Sequence, residues 1–276
     1  MNQAKAVDYC RPEDAGAVRC KAVGKVWGKG TARALEALVD IDLDVEPGQF
    51  VVLLGPSGCG KSTLLYMIAG LEAVDTGSIV CDGQSVTGPS SDRSLIFQEA
   101  SLFPWLTVSE NVTFGLKLRG VDKGVRTATA DQILRKVGLR GFMDKRPDEL
   151  SGGMRQRAAV ARALAMKPSV LLMDEPFAAL DVQTRAKLQD FLISVWRDSG
   201  ASVLFVTHGI DEAIALADSI VVFTSQPGRI KSVVPVELSR PRDPKDPAVH
   251  ALRDQLTDLL RDEVDRAFLQ QERASS

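Results

Sequence analysis

The run "FVVLLGPSGCGKSTLLYMIAG" at residues 50–70 decides the fold, because it joins an apolar run, a glycine-rich loop and a helical pattern. The five apolar residues at 50–54 are typical of a strand buried on both faces of a parallel sheet. Residues 55–62 match the pattern G-x-x-x-x-G-K-[ST], in which backbone amides and a helix N-terminus surround a phosphate group. Lys61 would add charge at the outer phosphates, and the Ser62 hydroxyl is a suitable ligand for Mg²⁺. The run therefore predicts a strand, a phosphate-binding loop and a helix.

The segments on either side predict an α/β fold built around that loop. Helical and apolar patterns alternate from about residue 160 onward, which is typical of a parallel sheet covered by helices. Alternating segments at 17–45 indicate half-buried strands, and amphipathic patterns between 102 and 150 indicate inserted helices. We expect a loose leader at 1–16, a main domain at 17–240 with its helical part at about 100–160, and a tail with a helix at 241–276.

Composition argues against several classes of protein. The 276 residues include 34 basic and 36 acidic side chains, a net charge of −2, and no long basic run that would predict nucleic-acid binding. The four cysteines lack the spacing of a zinc site or a disulfide framework. Apolar runs are far shorter than the roughly 20 residues of a membrane span, so we expect no crossing of a bilayer.

Two adjacent carboxylates follow the apolar run in "SVLLMDEP" at 169–176. Ligands collect at the carboxyl ends of strands in open α/β sheets, so Asp174 would hold Mg²⁺ through water. Glu175 would then polarise a water molecule for attack on the terminal phosphate. The alternative is that the pair only caps a helix, to which Pro176 at a first helical position is also suited.

His208 and Gln98 also follow strand-like runs. His208, one of two histidines in the chain, could contact the terminal phosphate, although a lone histidine is more often structural. Gln98 could bridge the metal ion, the attacking water and the inserted helices, but an exposed glutamine after a strand is common. Neither residue identifies a function by itself.

The segment "LSGGMRQR" at 150–157 places two glycines directly before a predicted helix. Glycine is a poor helix former, so Gly152 and Gly153 indicate a position that needs uncovered backbone.

Together, five motifs in this order resemble the ATP-binding-cassette (ABC) transporter ATPases, a resemblance that runs from about residue 17 to 230. The motifs are "GPSGCGKST", Gln98 in "IFQEA", "LSGGMRQR", "LLMDEP" followed by "ALD", and His208. The resemblance implies a P-loop NTPase (RecA-like) core with an antiparallel β-subdomain and an inserted α-helical signature subdomain. It implies ATP hydrolysis with Glu175, His208 and Gln98 as catalytic residues and with Ser62, Gln98 and Asp174 at Mg²⁺. It assigns ATP contacts to Gly55, Pro56, Ser57, Gly58, Cys59, Gly60, Lys61, Ser62 and Thr63.

The resemblance also implies that ATP is bound between two ATPase subunits, most simply two copies of this chain. Ser151, Gly152 and Gly153 of one subunit would then contact the phosphate held by the other, which accounts for the two glycines. Asp181 resembles the segment through which the two sites communicate. Trp27 occupies the position of an adenine-stacking aromatic, the alternative being an exposed loop residue. The chain departs from the common family pattern at Met154, Ala178 and Gly209.

Further segments resemble the ATPase subunits of bacterial nitrate, taurine and alkanesulfonate importers, among them "SQPGRI" at 225–230 and "PRDPKDP" at 241–247. This resemblance implies a place at the cytoplasmic face of the inner membrane, transmembrane permease partners and, indirectly, a periplasmic substrate-binding protein. Leu102, Phe103 and Trp105 would face the permease or pack internally. Alternatives are an ABC-type ATPase acting on DNA or translation, and a P-loop kinase. We also expect the Cys59 thiol to lie beside bound nucleotide, so that ATP would protect it from alkylation.

Overall fold

The computed structural model describes residues 15–31, 34–178 and 180–274, so most of the expected leader lies outside the described residues. The strands are β1 (Val18–Trp27), β2 (Leu35–Val45), β3 (Phe50–Leu54), β4 (Thr76–Cys81), β5 (Gln84–Ser85), β6 (Arg93–Ile96), β7 (Val170–Asp174), β8 (Ser202–Thr207), β9 (Ser219–Phe223) and β10 (Ile230–Pro235). The α-helices are α1 (Lys61–Ala69), α2 (Val108–Leu118), α3 (Lys123–Lys136), α4 (Gly152–Ala165), α5 (Val182–Ser199), α6 (Ile210–Leu216) and α7 (Pro247–Ala274).

A six-stranded sheet in the order β10-β9-β3-β8-β7-β6 forms the centre of the fold, with β10 as its antiparallel edge strand. The parallel register pairs Leu54 with Thr207 and Asp174 with Val206. Strands β3, β7 and β8 therefore end at the same edge, and the loops that follow them start side by side. This register brings together residues that are more than 100 positions apart in the sequence.

Apolar cores lie on both faces of this sheet. Side chains of β3 alternate between them: Phe50, Val52 and Leu54 pack toward α5 and α6, while Val51 and Leu53 pack toward α1 and the second sheet. The second sheet is antiparallel, in the order β2-β1-β4-β5. Burial on both faces explains why β3 is apolar throughout. The predicted α/β class with an antiparallel β-subdomain is confirmed.

Helices α2, α3 and α4 form a helical subdomain with its own small core, which includes Val112 and Leu134. Helix α2 begins with a capping box, in which Thr107 accepts a bond from the Glu110 amide and Glu110 accepts one from the Thr107 amide. Helices α2 to α4 lie within residues 108–165, close to the predicted range of about 100–160.

The tail folds back onto the core through α7, whose Leu256 and Leu260 are buried in it. Glu263 is 2% exposed and accepts bonds from the Ser225 amide at 2.9 Å and from the Lys231 ammonium at 2.8 Å. Farther along α7, Phe268 lines a cavity of about 290 Å³ against the phosphate loop and His208. None of the described helices is both long and apolar enough to cross a membrane.

Candidate functional site

The phosphate loop has the geometry that its glycines predict. Gly58 and Gly60 have φ of +80° and +96°, values that side chains other than glycine rarely adopt. Gly60 is the N-cap of α1 and offers no side-chain cap, and the first turn contains no acidic residue. The first amides of α1 therefore lack a side-chain acceptor, which leaves this helix end suited to an anion.

Two close backbone approaches hold the loop against its neighbours. A Cβ atom at Gly60 would lie 2.7 Å from Leu38 Cδ2, and one at Gly228 would lie 2.0 Å from the Cys59 carbonyl oxygen. Beside the loop is a cleft of about 330 Å³, lined by Trp27, Leu35, Ala37, residues 57–63, Glu175 and Gln226. The cleft thus brings the phosphate loop together with Trp27 and Glu175, as the sequence predicts.

Lys61 and Cys59 lie inside the loop. The Lys61 ammonium donates to the carbonyl oxygens of Gly55 and Pro56, both at 2.8 Å, and lies 3.5 Å from Cys59 Sγ. Cys59 is only 1% exposed, because its sulfur packs under Gly55. Burial raises the pKa of the Cys59 thiol, although the Lys61 charge opposes this shift. The Cys59 thiol is therefore buried beside Lys61, and its protection from alkylation by ATP stays a prediction.

Asp174 lies at the end of β7 and is held by two hydroxyl groups of α1. Ser62 Oγ donates to Asp174 Oδ1 at 2.7 Å, and Tyr66 Oη donates to Oδ2 at 2.8 Å. A hydroxyl and a carboxylate next to a phosphate loop form the hard oxygen donor set that Mg²⁺ takes together with phosphate oxygens. In the described part of the chain, no group of three His, Cys, Asp or Glu side chains could hold a metal ion. The Ser62–Asp174 pair fits the predicted magnesium site.

Glu175 and His208 form a direct pair across two strand ends, with Glu175 Oε2 and His208 Nδ1 3.1 Å apart. Glu175 has φ of +43°, and its amide donates to the Val206 carbonyl at 3.1 Å. A non-glycine residue in this left-handed region is strained, and such strain is concentrated at functional positions. The strained turn directs the carboxylate into the phosphate cleft rather than onto a helix as a cap.

Gln98 is not among the described residues that line the phosphate cleft. It follows β6 by two residues and lines a groove of about 430 Å³ between the ATPase core and the helical subdomain. The other residues lining this groove are 99–102, Pro147, Gly152, Arg155, Gln156, Pro176 and Leu180. The structure therefore places Gln98 between the two subdomains, and its contact with the metal ion stays a prediction.

Ser151, Gly152 and Gly153 start helix α4, with Ser151 as the N-cap that accepts a bond from the Met154 amide at 3.3 Å. The sequence predicts the glycines directly before the helix, whereas they form its first turn, where the backbone amides have no acceptor within the helix. Asp181 is the N-cap of α5. Among the described residues, none of these four lines the phosphate cleft of its own chain.

The aromatic residues named in the sequence have different environments. Trp27 is 39% exposed at the cleft, with the Lys25 ammonium 4.7 Å from the centre of its ring. Phe103 is half-buried, with its ring centre 4.6 Å from that of Phe114 and 5.6 Å from that of Trp105, and Leu102 packs against two cores. Trp105 is 67% exposed. Leu102 therefore packs internally, Phe103 is only half-buried, and Trp105 presents most of its surface outward.

The sequence motifs do not identify Tyr66 as a site residue, although its helical spacing from Ser62 indicates it. Ser62 and Tyr66 are four residues apart on α1, so their side chains share a face of the helix, and the site requires Ser62 on that face. Gln226 in the cleft was also missed, and no local pattern predicts it.

Comparison with known proteins agrees with this geometry. The model of the ABC transporter family matches residues 38–178, which is half of the chain and includes the phosphate loop and Asp174–Glu175. The chain belongs to the ABC transporter family. As a member of this family, the ABC protein is an ATP hydrolase. It has the P-loop NTPase fold that its motifs predict.

Relatives of this ABC ATPase include import subunits. The nitrate import ATP-binding protein NrtD of Synechocystis is 49% identical over 76% of this chain and 79% of its own length. The taurine import ATP-binding protein TauB of Burkholderia thailandensis is 49% identical over 71% of this chain and 76% of its own length. A dimeric post-hydrolysis structure of the ATP-binding cassette MJ0796, bound to ADP and Pi, has a TM-score of 0.71 and 31% identity. It covers 80% of this chain and all of that cassette.

Proposed function

We propose that this chain is the ATP-binding and ATP-hydrolysing subunit of a bacterial importer of a small anion such as taurine, an alkanesulfonate or nitrate. The observation that carries the proposal is the pairing of Glu175 with His208 at the mouth of the phosphate loop, beside the Ser62–Asp174 pair. The names of the nitrate and taurine import relatives support the class of substrate.

The proposed hydrolysis uses this chain's own groups as follows. With Nδ1 of His208 donating to Glu175, the second ring nitrogen is available to an oxygen of the terminal phosphate. The second oxygen of the Glu175 carboxylate accepts a bond from the attacking water and polarises it. Lys61 and the amides of α1 hold the outer phosphates. Mg²⁺, when bound at Ser62 and Asp174, neutralises phosphate charge.

A dimer follows from the position of the signature residues in this proposal. Because Ser151, Gly152 and Gly153 do not line the cleft of their own chain, they are available to the phosphate bound by a second copy. The dimeric cassette to which this chain is similar supports that arrangement. Each copy would then supply half of each ATP site.

The groove that contains Gln98 is the proposed docking site for a permease segment at the cytoplasmic face of the inner membrane. It lies between the ATPase core and the helical subdomain, with the exposed Trp105 nearby in sequence. Pro176 in the groove directly follows Glu175, so a docked segment would lie close to the catalytic carboxylate. The periplasmic substrate-binding protein would act only through the permease.

The proposal is tested with Glu175→Gln, using membranes and purified protein in Mg-ATP. We expect turnover to fall by about 100-fold or more while ATP binding persists, because a general base contributes 10²–10⁴-fold. The variant should accumulate as an ATP-bound dimer that co-purifies with membrane proteins. Glu237→Gln, which changes an exposed carboxylate after β10, is the matched control.

Two outcomes would overturn the proposal. Undiminished turnover in Glu175→Gln would reject the assigned base. A protein that hydrolyses ATP but never associates with membrane proteins would reject the importer role and favour a non-transport ABC ATPase.

A further inference from the structure

Tyr66 is bonded to the carboxylate proposed to serve the magnesium ion. Its hydroxyl donates to Asp174 Oδ2 at 2.8 Å, while Ser62 holds Oδ1 at 2.7 Å. Both donors lie on one face of α1, one turn apart. The carboxylate is 6% exposed, so these bonds and its position at the strand end fix its orientation.

The two hydrogen bonds to Asp174 end on different oxygens of its carboxylate and come from donors with different roles. The Ser62 oxygen, which donates to Oδ1, is itself a candidate ligand that would hold the metal ion. Tyr66 donates to the other oxygen, Oδ2, so this hydrogen bond can persist when Ser62 turns to bind a metal ion. A hydrogen bond of this kind to a ligand carboxylate sets both its orientation and its affinity for a metal.

The ring of Tyr66 makes a second contact, with Phe97. The two ring centres are 6.1 Å apart at an angle of 52°, within the range of favourable aromatic pairs. Phe97 directly precedes Gln98, which lines the groove between the subdomains. One side chain therefore touches the metal carboxylate with its hydroxyl and the Gln98 segment with its ring.

We propose that Tyr66 is a positioning residue that orients Asp174 for Mg²⁺ and ties this carboxylate to the segment that carries Gln98. The inference rests on the proposed function, in which Asp174 serves the metal ion. It concerns a residue outside the loop, carboxylate and histidine motifs from which the function was inferred.

The test measures Mg²⁺-dependent binding of ATP without turnover, in a Glu175→Gln background. Tyr66→Phe removes only the hydroxyl and keeps the ring. We expect it to raise the Mg²⁺ concentration for half-maximal ATP binding by about tenfold, because lost contacts to metal ligands cost 10–100-fold in metal affinity. In EDTA, Tyr66→Phe should bind ATP as tightly as the parent does, whereas a general folding defect would weaken this binding as well.

Phe97→Leu tests the second contact, since it leaves the Tyr66 hydroxyl intact. We expect it to raise the Mg²⁺ requirement by about twofold or more, a smaller effect than that of Tyr66→Phe. An unchanged Mg²⁺ requirement in Tyr66→Phe overturns the positioning role, and an unchanged value in Phe97→Leu overturns the tie to the Gln98 segment. If the parent itself shows no Mg²⁺-dependent ATP binding, the proposed function fails first, and this inference fails with it.

Discussion

Gly153 packs directly against Thr184: a Cβ atom at position 153 would lie 2.9 Å from the Thr184 Cγ2 atom. The glycine at the start of α4 thus permits close contact with α5, in addition to the phosphate contact proposed for it.

These two roles of Gly153 can be separated by mutation. Gly153→Ala should lower stability by about 1–2 kcal/mol, because an extra methyl group overfills the contact. Thr184→Ser removes the clashing methyl group, so the double variant should recover its melting temperature. If the glycine also serves phosphate, ATPase activity stays low in the double variant, whereas full recovery of activity would leave packing as its only role.

Gly152→Ala is the matched control, since its nearest neighbour would be Arg155 Nη2 at 3.9 Å. Its melting temperature should equal that of the parent. A loss as large as that of Gly153→Ala would contradict the steric account.

Gly228 controls the position of the phosphate loop from outside it. Because a Cβ atom there would lie 2.0 Å from the Cys59 carbonyl oxygen, Gly228→Ala must displace backbone, which no change of rotamer can relieve. We expect a loss of about 2–3 kcal/mol in stability and at least a tenfold weaker affinity for ATP. Urea unfolding and nucleotide titration measure the two effects. Gly88→Ala, which meets nothing within 4 Å, should change neither.

Trp27 is expected to stack on adenine. Trp27→Ala should raise the KM for ATP about fivefold or more with little change in kcat, since stacking of a base on an aromatic side chain contributes about 1–3 kcal/mol. Trp27→Tyr should restore most of the affinity because it keeps an aromatic face. Equal KM values for the parent and Trp27→Ala would favour the alternative of an exposed loop aromatic.

Glu263 should make the attachment of α7 sensitive to acid. Burial alone would raise the pKa of its carboxyl group, but the bonds from Lys231 and Ser225 outweigh burial and lower the pKa below its usual value of 4.5. The ionised form is thus favoured in the folded state, so its stabilising effect is present above pH 4.5 and lost as the pH falls through the lowered value.

Glu263→Gln removes this ionisable group while keeping its size. We expect it to cost about 1–3 kcal/mol at pH 7 because it weakens hydrogen bonds to a buried group. The difference from the parent should shrink as the pH falls below 4.5, measured by urea unfolding from pH 7 to 3.5. A difference that does not vary with pH would show that the carboxylate charge has no part in holding the helix.

Much of the fold could be predicted from local pattern. The run at 50–54, its loop and α1 were all predicted, because buried parallel strands and phosphate loops have strong local signals. The assembly of Asp174, Glu175 and His208 at one sheet edge also follows from the parallel register.

Contacts that depend on packing could not be predicted in this way. The bond from Tyr66 to Asp174 spans 108 residues, and it depends on how α1 lies across the sheet. The inward orientation of the Cys59 thiol depends on two positive φ angles around it and on space beneath Gly55. The position of Gln98 depends on how the helical subdomain packs on the core, for which the sequence carries no local signal.

The backbone of Glu175 has a consequence for how this protein can change over evolutionary time. A glutamate at φ of +43° costs about 1–2 kcal/mol relative to a residue that tolerates this conformation, such as asparagine. Glu175→Asn should therefore be inactive yet melt at a higher temperature than the parent. Selection for a stable, abundant protein alone would favour replacement of Glu175. The carboxylate therefore persists only where ATP hydrolysis itself is under selection.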